Sequence, residues 1–128
     1  MWKPLFIFSV FLLPSLALSS CVGPEQQDTP ANAVVNSYDA LSRQDSAAYM
    51  ESLAHDREEV FEALPAAQHA LLNNWKGDRA EVRVLSVKQN NGVATILYDL
   101  TVTGRNPMVR DSMMDRAYLE DNGWKVGY

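Results

Sequence analysis

The stretch E-V-R-V-L-S-V-K-Q-N-N-G-V-A-T-I-L-Y-D-L-T-V, residues 81–102, decides the fold of this chain. Apolar and polar residues alternate on both sides of Asn91-Gly92, a dipeptide that favours two-residue hairpin turns because both residues tolerate positive φ. A turn at this point pairs Asn90 with Val93 and gathers the apolar residues of the second run on one face. These residues are Ala94, Ile96, Tyr98, Leu100 and Val102. The pattern predicts an antiparallel hairpin with one buried face.

The first run loses its alternation at Val84-Leu85. An uninterrupted register would place Arg83 opposite Leu100 and direct a charged side chain to the buried face. One inserted residue near Val84-Leu85 removes this conflict, and we then expect Val84 opposite Leu100. Because an inserted residue bends a strand and increases its twist, the pattern predicts a β-bulge and a curved sheet.

A second Asn-Gly pair, Asn122-Gly123, lies between the third strand-like run and the last one. A two-residue turn at this pair would bring Glu120 beside Lys125, a surface pair worth roughly 0.2–1 kcal/mol. The residues after position 78 therefore predict an antiparallel meander of about four strands.

The residues before the sheet carry helix signals. Thr29-Pro30 is typical of an N-cap followed by proline in the first turn, and Asp45 can cap a second, shorter helix. Asp56, with a glutamate three residues later, resembles a capping box before a third helical stretch. Pro65 removes a hydrogen-bond donor from that stretch and must kink or split it. Helices first and strands after them predict an α+β domain over residues 30–128.

Residues 1–20 have the pattern of a signal peptide. Lys3 supplies a positive charge, and residues 5–18 form an apolar run interrupted by Pro14. This run is shorter than the roughly 20 residues that a membrane-spanning helix needs. The segment therefore predicts an export signal rather than a permanent span.

The signal ends in L-S-S-C, residues 18–21, and this motif resembles the lipobox of bacterial lipoproteins. The resemblance implies cleavage between Ser20 and Cys21 and attachment of lipid to Cys21. Two acyl chains at one residue are enough for stable membrane anchoring. Residues 21–29 would then form a lipidated tether, and the alternative is an incidental cysteine after a secretory signal.

The resemblance to lipoproteins also implies a location in the cell envelope. Val22 is not the aspartate that often signals inner-membrane retention, so we expect the outer membrane, facing the periplasm, in a Gram-negative cell. In a Gram-positive cell we expect the outer face of the cell membrane. The sequence does not decide between the two cell types.

The charge balance excludes one class of partner. The chain has 16 acidic and 11 basic residues, for a net charge of −5. Such a chain is not built to neutralise phosphate backbones, so nucleic acid is excluded as a partner. Its single cysteine also excludes an internal disulfide.

Three segments resemble the cystatin-like, nuclear-transport-factor-2-like superfamily, and especially its small bacterial lipoproteins of unknown function. They are V-V-N-S-Y-D-A-L-S-R-Q-D (34–45), S-A-A-Y-M-E-S-L (46–53) and the hairpin Y-L-E-D-N-G-W-K-V (118–126). The resemblance implies a cone in which helices cover a concave sheet and leave room for a pocket. Some members are enzymes and others only bind or assemble, so the fold alone does not give the function.

The inner face of this cone offers few groups for chemistry. Alternation directs Asp115 inward, and the expected register of the second and third strands places it opposite Tyr98. Together with Trp75 and Phe61, the pair would line a pocket for a polar group or a small apolar ligand. The alternative is a solvated aspartate beside a tyrosine that only packs its ring. We assign no catalytic residue.

Metal and cofactor sites have no support in the sequence. His55 and His69 lack a second ligand at a spacing typical of zinc sites. Met113 and Met114 are adjacent on a strand and must point to opposite faces, which argues against a shared copper site with Met108. We therefore expect neither a metal nor a cofactor.

These patterns together favour a lipid-anchored envelope protein that acts as a non-catalytic binding or interaction module. Its membrane contact would be the lipid on Cys21, and its other partner a protein or a small apolar ligand. The first alternative is a small-molecule pocket protein or an enzyme centred on Tyr98 and Asp115. The second is a homodimer formed through the outer face of the sheet, where Leu97 and Thr101 lie.

Overall fold

The computed structural model describes residues 28–127. The predicted signal peptide, most of the tether and Tyr128 lie outside the described residues. The helices are α1 (Pro30–Arg43), α2 (Ser46–Glu51), α3 (His55–Ala63) and α4 (Pro65–Asn74). The strands are β1 (Asp78–Asn90), β2 (Val93–Gly104), β3 (Met108–Glu120) and β4 (Gly123–Gly127). The strands form one antiparallel sheet in the order β1-β2-β3-β4, so the predicted α+β class is confirmed.

The predicted starts of α1 and α2 are confirmed. The hydroxyl of Thr29 accepts a hydrogen bond from the backbone N–H of Asn32 at 3.1 Å, and Pro30 opens the helix. The carboxylate of Asp45 accepts one from the N–H of Ala48 at 3.0 Å. Both bonds satisfy N–H groups that have no partner within their helix.

The start of α3 differs from the prediction. The helix begins one residue before Asp56, and its N-cap, Ala54, makes no side-chain cap. The first N–H, that of His55, donates instead to Glu120 Oε2 at 2.8 Å. The reason is tertiary: Leu53 forms a parallel bridge with Val126, which brings the start of α3 against the end of β3. A capping box from within the helix is therefore not needed.

The split of the third helical stretch is confirmed. Pro65 is the first residue of α4, and α3 ends two residues earlier. Its missing N–H is harmless at that position, because the first N–H groups of a helix have no internal partner.

The first hairpin forms at Asn91-Gly92, with φ angles of 51° and 78°. The register shifts once between Val84 and Ser86, which confirms a bulge at the predicted place. The predicted pairing beyond it is wrong, because Leu100 lies opposite Val82 and not Val84. The extra residue belongs to β1, so every partner beyond the bulge moves along that strand.

The second hairpin turns at Asp121 and Asn122, before the predicted pair. Gly123 carries a φ of 116° and is already the first residue of β4, opposite Glu120. Asp28 holds this geometry, since its Oδ1 accepts a hydrogen bond from the N–H of Trp124 at 2.9 Å. The register differs from the prediction by two residues, and the predicted pair of Glu120 with Lys125 does not form.

The main core lies between α1 and the concave face of the sheet. Val34 on α1 and Ile96, Tyr98 and Leu100 on β2 are at most 1% exposed. Burying an aliphatic or aromatic side chain of this size contributes about 1.5–3 kcal/mol, so the packing of α1 on β2 is a large part of the stability.

A second cluster joins α1 to α2. Its buried members are Ala40, Leu41, Tyr49 and Leu53. Helices α3 and α4 contain no buried residue, and they reach this cluster only through half-buried side chains such as Phe61 and Leu71. None of the described helices combines the length and the apolar character that a membrane span requires.

Candidate functional site

Tyr98 and Asp115 meet on the concave face of the sheet. Tyr98 lies opposite Met113 rather than opposite Asp115, so the predicted register is wrong by two residues. The two side chains still meet along the diagonal, because residues two apart on a strand share a face. The hydroxyl of Tyr98 donates a hydrogen bond to Asp115 Oδ2 at 3.0 Å.

Tyr38 on α1 extends this pair into a chain of three residues. Its hydroxyl oxygen lies 2.7 Å from that of Tyr98. A tyrosine hydroxyl has one proton to donate, and Tyr98 uses it in the hydrogen bond to Asp115. Tyr38 is therefore the donor, and the hydrogen bonds run from Tyr38 to Tyr98 to Asp115.

Trp75 reaches the site through the ring of Tyr38. The rings of Tyr38 and Trp75 lie 5.8 Å apart at 62°, and those of Tyr38 and Tyr98 lie 5.8 Å apart at 64°. Both are edge-to-face contacts, worth roughly 0.5–1.5 kcal/mol each beyond area burial. Phe61 does not join them. It packs against Tyr49 in the second cluster, with ring centroids 6.0 Å apart.

Burial governs the acidity of the pair. Desolvation raises the pKa of the Asp115 carboxyl above its ordinary value, while the Tyr98 hydrogen bond and the charge of Arg57 oppose the rise. Burial also raises the pKa of Tyr98, and the hydrogen bond with Tyr38 adds to that increase. Arg57 lies near the start of α3, and nothing in the sequence pattern linked it to Asp115.

The middle of the hydrogen-bonded chain is closed, whereas Tyr38 and Asp115 at its two ends are half-buried. Tyr98 is 0% exposed, and its oxygen both accepts and donates a hydrogen bond within the fold. Asp115 is half-buried, and among residues 28–127 no donor besides Tyr98 contacts it. A ligand on the concave face would therefore meet Asp115 or Tyr38, and Tyr98 would act only through them.

Two of the clefts on the surface of the described domain are large enough to consider as sites, and none of the four predicted pocket residues lines either of these two. The larger, of about 490 Å³, lies where α1, α2 and the turn between β3 and β4 meet. The smaller, of about 280 Å³, lies between the start of α3 and the last hairpin. Its lining residues are Ala54, Asp56, Arg57, Tyr118, Glu120 and Gly127.

His55, Met113 and Met114 each contact residues other than one another. His55 forms an exposed pair with Glu59 one helical turn along α3, at 2.9 Å. Met113 lies on the inner face opposite Tyr98, and Met114 pairs with Leu97 on the outer face. Over residues 28–127, no three histidine, cysteine or acidic side chains are grouped closely enough to hold a metal ion.

Comparison with known proteins gives the fold. The chain matches no protein-family model and no curated protein sequence. Among solved structures, it is similar to a "putative calcium/calmodulin-dependent protein kinase type II association domain" from Thiobacillus denitrificans. That match has a TM-score of 0.60 and 16% identity, and covers 77% of this chain and 90% of the other.

Two further structures carry names for the fold itself. One is a protein of unknown function with a cystatin-like fold from Nostoc punctiforme, with a TM-score of 0.56, 18% identity and coverage of 75% and 81%. The other is a "putative dehydratase from the NTF2-like family" from Streptomyces avermitilis, with a TM-score of 0.55, 10% identity and coverage of 75% and 86%. Because these identities are low, the similarity concerns the fold and not the activity. The chain has the cystatin-like, nuclear-transport-factor-2-like fold.

Proposed function

We propose that this protein is a lipid-anchored protein of the cell envelope whose domain is a non-catalytic binding or interaction module. The observation that carries the non-catalytic part is the hydrogen-bonded chain on the concave face. General acid–base catalysis needs a group that can reach the substrate with a proton to move. Tyr98 is fully buried and its proton is bonded to Asp115, so Tyr98 has no proton to offer a ligand, and only the half-buried Asp115 carboxylate is left as a base to be tested.

The anchor rests on the sequence of the leader. A charged start, an apolar run and L-S-S-C at residues 18–21 support lipid on Cys21. In a Gram-negative cell the domain would then lie at the periplasmic side of the outer membrane, and in a Gram-positive cell at the outer face of the cell membrane. Two acyl chains would make the attachment stable.

Membrane fractionation tests the anchor. Cys21→Ser should move the protein from the membrane fraction to the soluble fraction and abolish labelling by a fatty-acid probe. Ser20→Ala keeps a small residue before the cysteine and should leave both unchanged. A Cys21→Ser protein that stays in the membrane and still takes up label would contradict the proposal.

Cross-linking tests the binding role. The intact lipidated protein, cross-linked in its own envelope and purified, should carry the same partner before and after Asp115→Asn. Loss of an enzymatic turnover on Asp115→Asn, with the fold intact, would instead favour the catalytic alternative.

A small-molecule pocket is the second candidate. It is favoured by the raised pKa of Asp115, a half-buried carboxyl that faces the cone beside apolar side chains. Native mass spectrometry should then show a small molecule retained by the wild type and lost from Asp115→Asn. Equal masses for the two purified proteins, apart from the substitution, would count against this pocket.

Self-association through the outer sheet face is the third candidate. Leu97 lies beside Met114 and Thr101 beside Val109 on that face, and Met114 and Val109 are 64% and 68% exposed. A protein of similar fold is described as an association domain. If this face joins two copies, Met114→Glu should convert a dimer to a monomer in sedimentation experiments, and Asp111→Glu should not.

A further inference from the structure

The larger cleft forms a second polar site, away from Tyr98 and Asp115. Its volume of about 490 Å³ falls within the range of roughly 300–1,000 Å³ typical of small-molecule sites. One side is a stripe of α1 that includes Asn36 and Asp39, and the other is the end of α2. Ala33 and Ala48 lie between them, and these small side chains leave the space open.

Two cations line this cleft: Arg43, which is paired with Asp39, and Lys125 on β4. The residue is only 7% exposed, and its ammonium donates a hydrogen bond to the backbone carbonyl of Glu51 at 2.6 Å. That bond serves the C-terminal end of α2, where a positive charge is favourable. An ammonium has three donors, however, and among the described residues no carboxylate forms an ion pair with Lys125.

The side chain of Lys125 is mostly buried, and its ammonium, which is part-buried at the cleft, has no carboxylate among the described residues to offset the loss of water. An oxyanion in the cleft would supply acceptors for the donors that Glu51 leaves unused. The cleft therefore favours a ligand with at least one negatively charged group.

The rim of the cleft has the opposite charge. Asp39 is already paired with Arg43 at 2.8 Å, so it contributes little net charge. Glu51 presents an exposed carboxylate, and Asp28 uses Oδ1 for the N–H of Trp124. These two carboxylates near one buried cation would repel a simple anion and attract a positive group on the same ligand.

We propose that this cleft binds a small zwitterion, whose oxyanion accepts hydrogen bonds from Lys125 and whose ammonium lies near Glu51 and Asp28. The chemistry fits a free α-amino acid and equally the phosphoethanolamine head group of a lipid. Asp28 lines the cleft, and residues 21–27 can span at most about 25 Å. The head-group source therefore rests on the proposed lipid anchor, whereas the free amino acid does not.

Amide NMR of the full chain in a non-ionic detergent tests the zwitterion with matched probes. Glycine should shift the resonances of Lys125, Glu51 and Asn36 and reach saturation. Acetate and methylammonium each carry one half of its charge pattern and should bind at least about tenfold more weakly, because each lacks one charged contact. Equal shifts from either half, or no saturation by any zwitterion at millimolar concentration, would overturn the proposal.

Two variants test the residues. Lys125→Met keeps the apolar stem and should weaken glycine binding by about tenfold or more. If that protein does not fold, Glu51→Gln, on the exposed rim, should still weaken binding by about tenfold. Lys76→Met and Glu62→Gln are exposed changes away from the cleft and should leave the affinity unchanged. Unchanged affinity in a folded Lys125→Met or in Glu51→Gln would refute the assignment.

Two further probes distinguish the sources. Two results together would support the lipid head group. O-phosphoethanolamine should bind more tightly than glycine. Unlipidated Cys21→Ser should bind to bicelles that contain phosphatidylethanolamine and not to bicelles that contain phosphatidylglycerol. Tighter binding of glycine would support a free amino acid. If Cys21→Ser shows that the protein is not lipid-anchored, only the lipid head group is ruled out as the ligand. The comparison of glycine with acetate and methylammonium would still test whether the cleft binds a zwitterion.

Discussion

At Tyr98 one hydroxyl connects three elements, since it accepts from Tyr38 on α1 and donates to Asp115 on β3. Tyr98→Phe removes this link and leaves the half-buried carboxylate without its donor. We expect the free energy of unfolding to fall by about 1–3 kcal/mol, measured by urea denaturation. Asp115→Asn keeps an acceptor oxygen and should be less harmful. A Tyr98→Phe protein as stable as wild type would show that the chain does not stabilise the fold.

Asp115 should also give the protein a measurable pH dependence. Its folded-state pKa is raised by burial, so the folded chain holds this proton more tightly than the unfolded chain. Protonated Asp115 therefore contributes to the free energy of unfolding below the ordinary carboxyl pKa of 3.8. This contribution is lost as the pH rises through the folded-state pKa. Asp115→Asn should therefore gain stability relative to wild type as the pH increases from about 4. Parallel curves for the two proteins in urea unfolding across this range would contradict the assignment.

A comparison of two glycines with positive φ distinguishes the cost of backbone strain from the cost of a steric clash. Gly104 has a φ of 125°, and a Cβ there would overlap the carbonyl oxygen of Gly77. Gly92 has a φ of 78°, but its nearest contact would be an ordinary 3.7 Å. We expect Gly92→Ala to cost about 1–2 kcal/mol and Gly104→Ala clearly more, measured by thermal unfolding. Equal losses would mean that the chain near Gly77 moves aside.

At the scale of the element, α3 depends on a residue far away in the sequence. The N–H of His55 donates to Glu120, so Glu120→Ala removes the only side-chain cap described at this helix start. We expect a loss of about 0.5–2 kcal/mol and faster hydrogen exchange in the first turn of α3. Glu62→Ala, near the other end of the same helix, is the matched control and should leave that turn unchanged.

The strands show which part of a sheet an alternating sequence can predict. Asp115 shares the inner face with Tyr98 as expected, although the register differs from the prediction by two residues. A pattern of period two assigns faces, but it does not distinguish registers that differ by two residues. The missing information lies elsewhere in the chain, since the side chain of Asp28 helps to place the turn before Gly123.

The helices show a similar limit. Local signals were sufficient for Thr29 and Asp45, whose side chains cap N–H groups three residues away. Local signals were not sufficient for Tyr38, because the helical spacing of apolar residues predicts only that it lies in the core. Its hydroxyl meets that of Tyr98 across 60 residues of sequence, and no local pattern encodes this contact. The effect of Arg57 on Asp115 was not predicted for the same reason.

At the scale of the whole molecule, stability should be uneven. Helix α1 and strand β2 supply the most buried side chains, whereas α3 and α4 bury none. Regions with few buried contacts open without global unfolding. We expect amides of α3 and α4 to exchange well before those of β2 in native-state hydrogen exchange. Uniform protection across all four elements would show that the helices unfold only with the core.

The bridge between Leu53 and Val126 protects one edge of the sheet. It lays residues 52–54 along the free side of β4, where Val126 exchanges backbone hydrogen bonds with Ser52 and Ala54. On the far margin, the hydroxyl of Ser42 accepts from the N–H of Ala80 in β1. An exposed edge strand can pair with a strand of a neighbouring molecule, and this pairing starts aggregation. Because its own chain occupies the edge at Val126, we expect the addition of a strand from a second molecule to be blocked at β4.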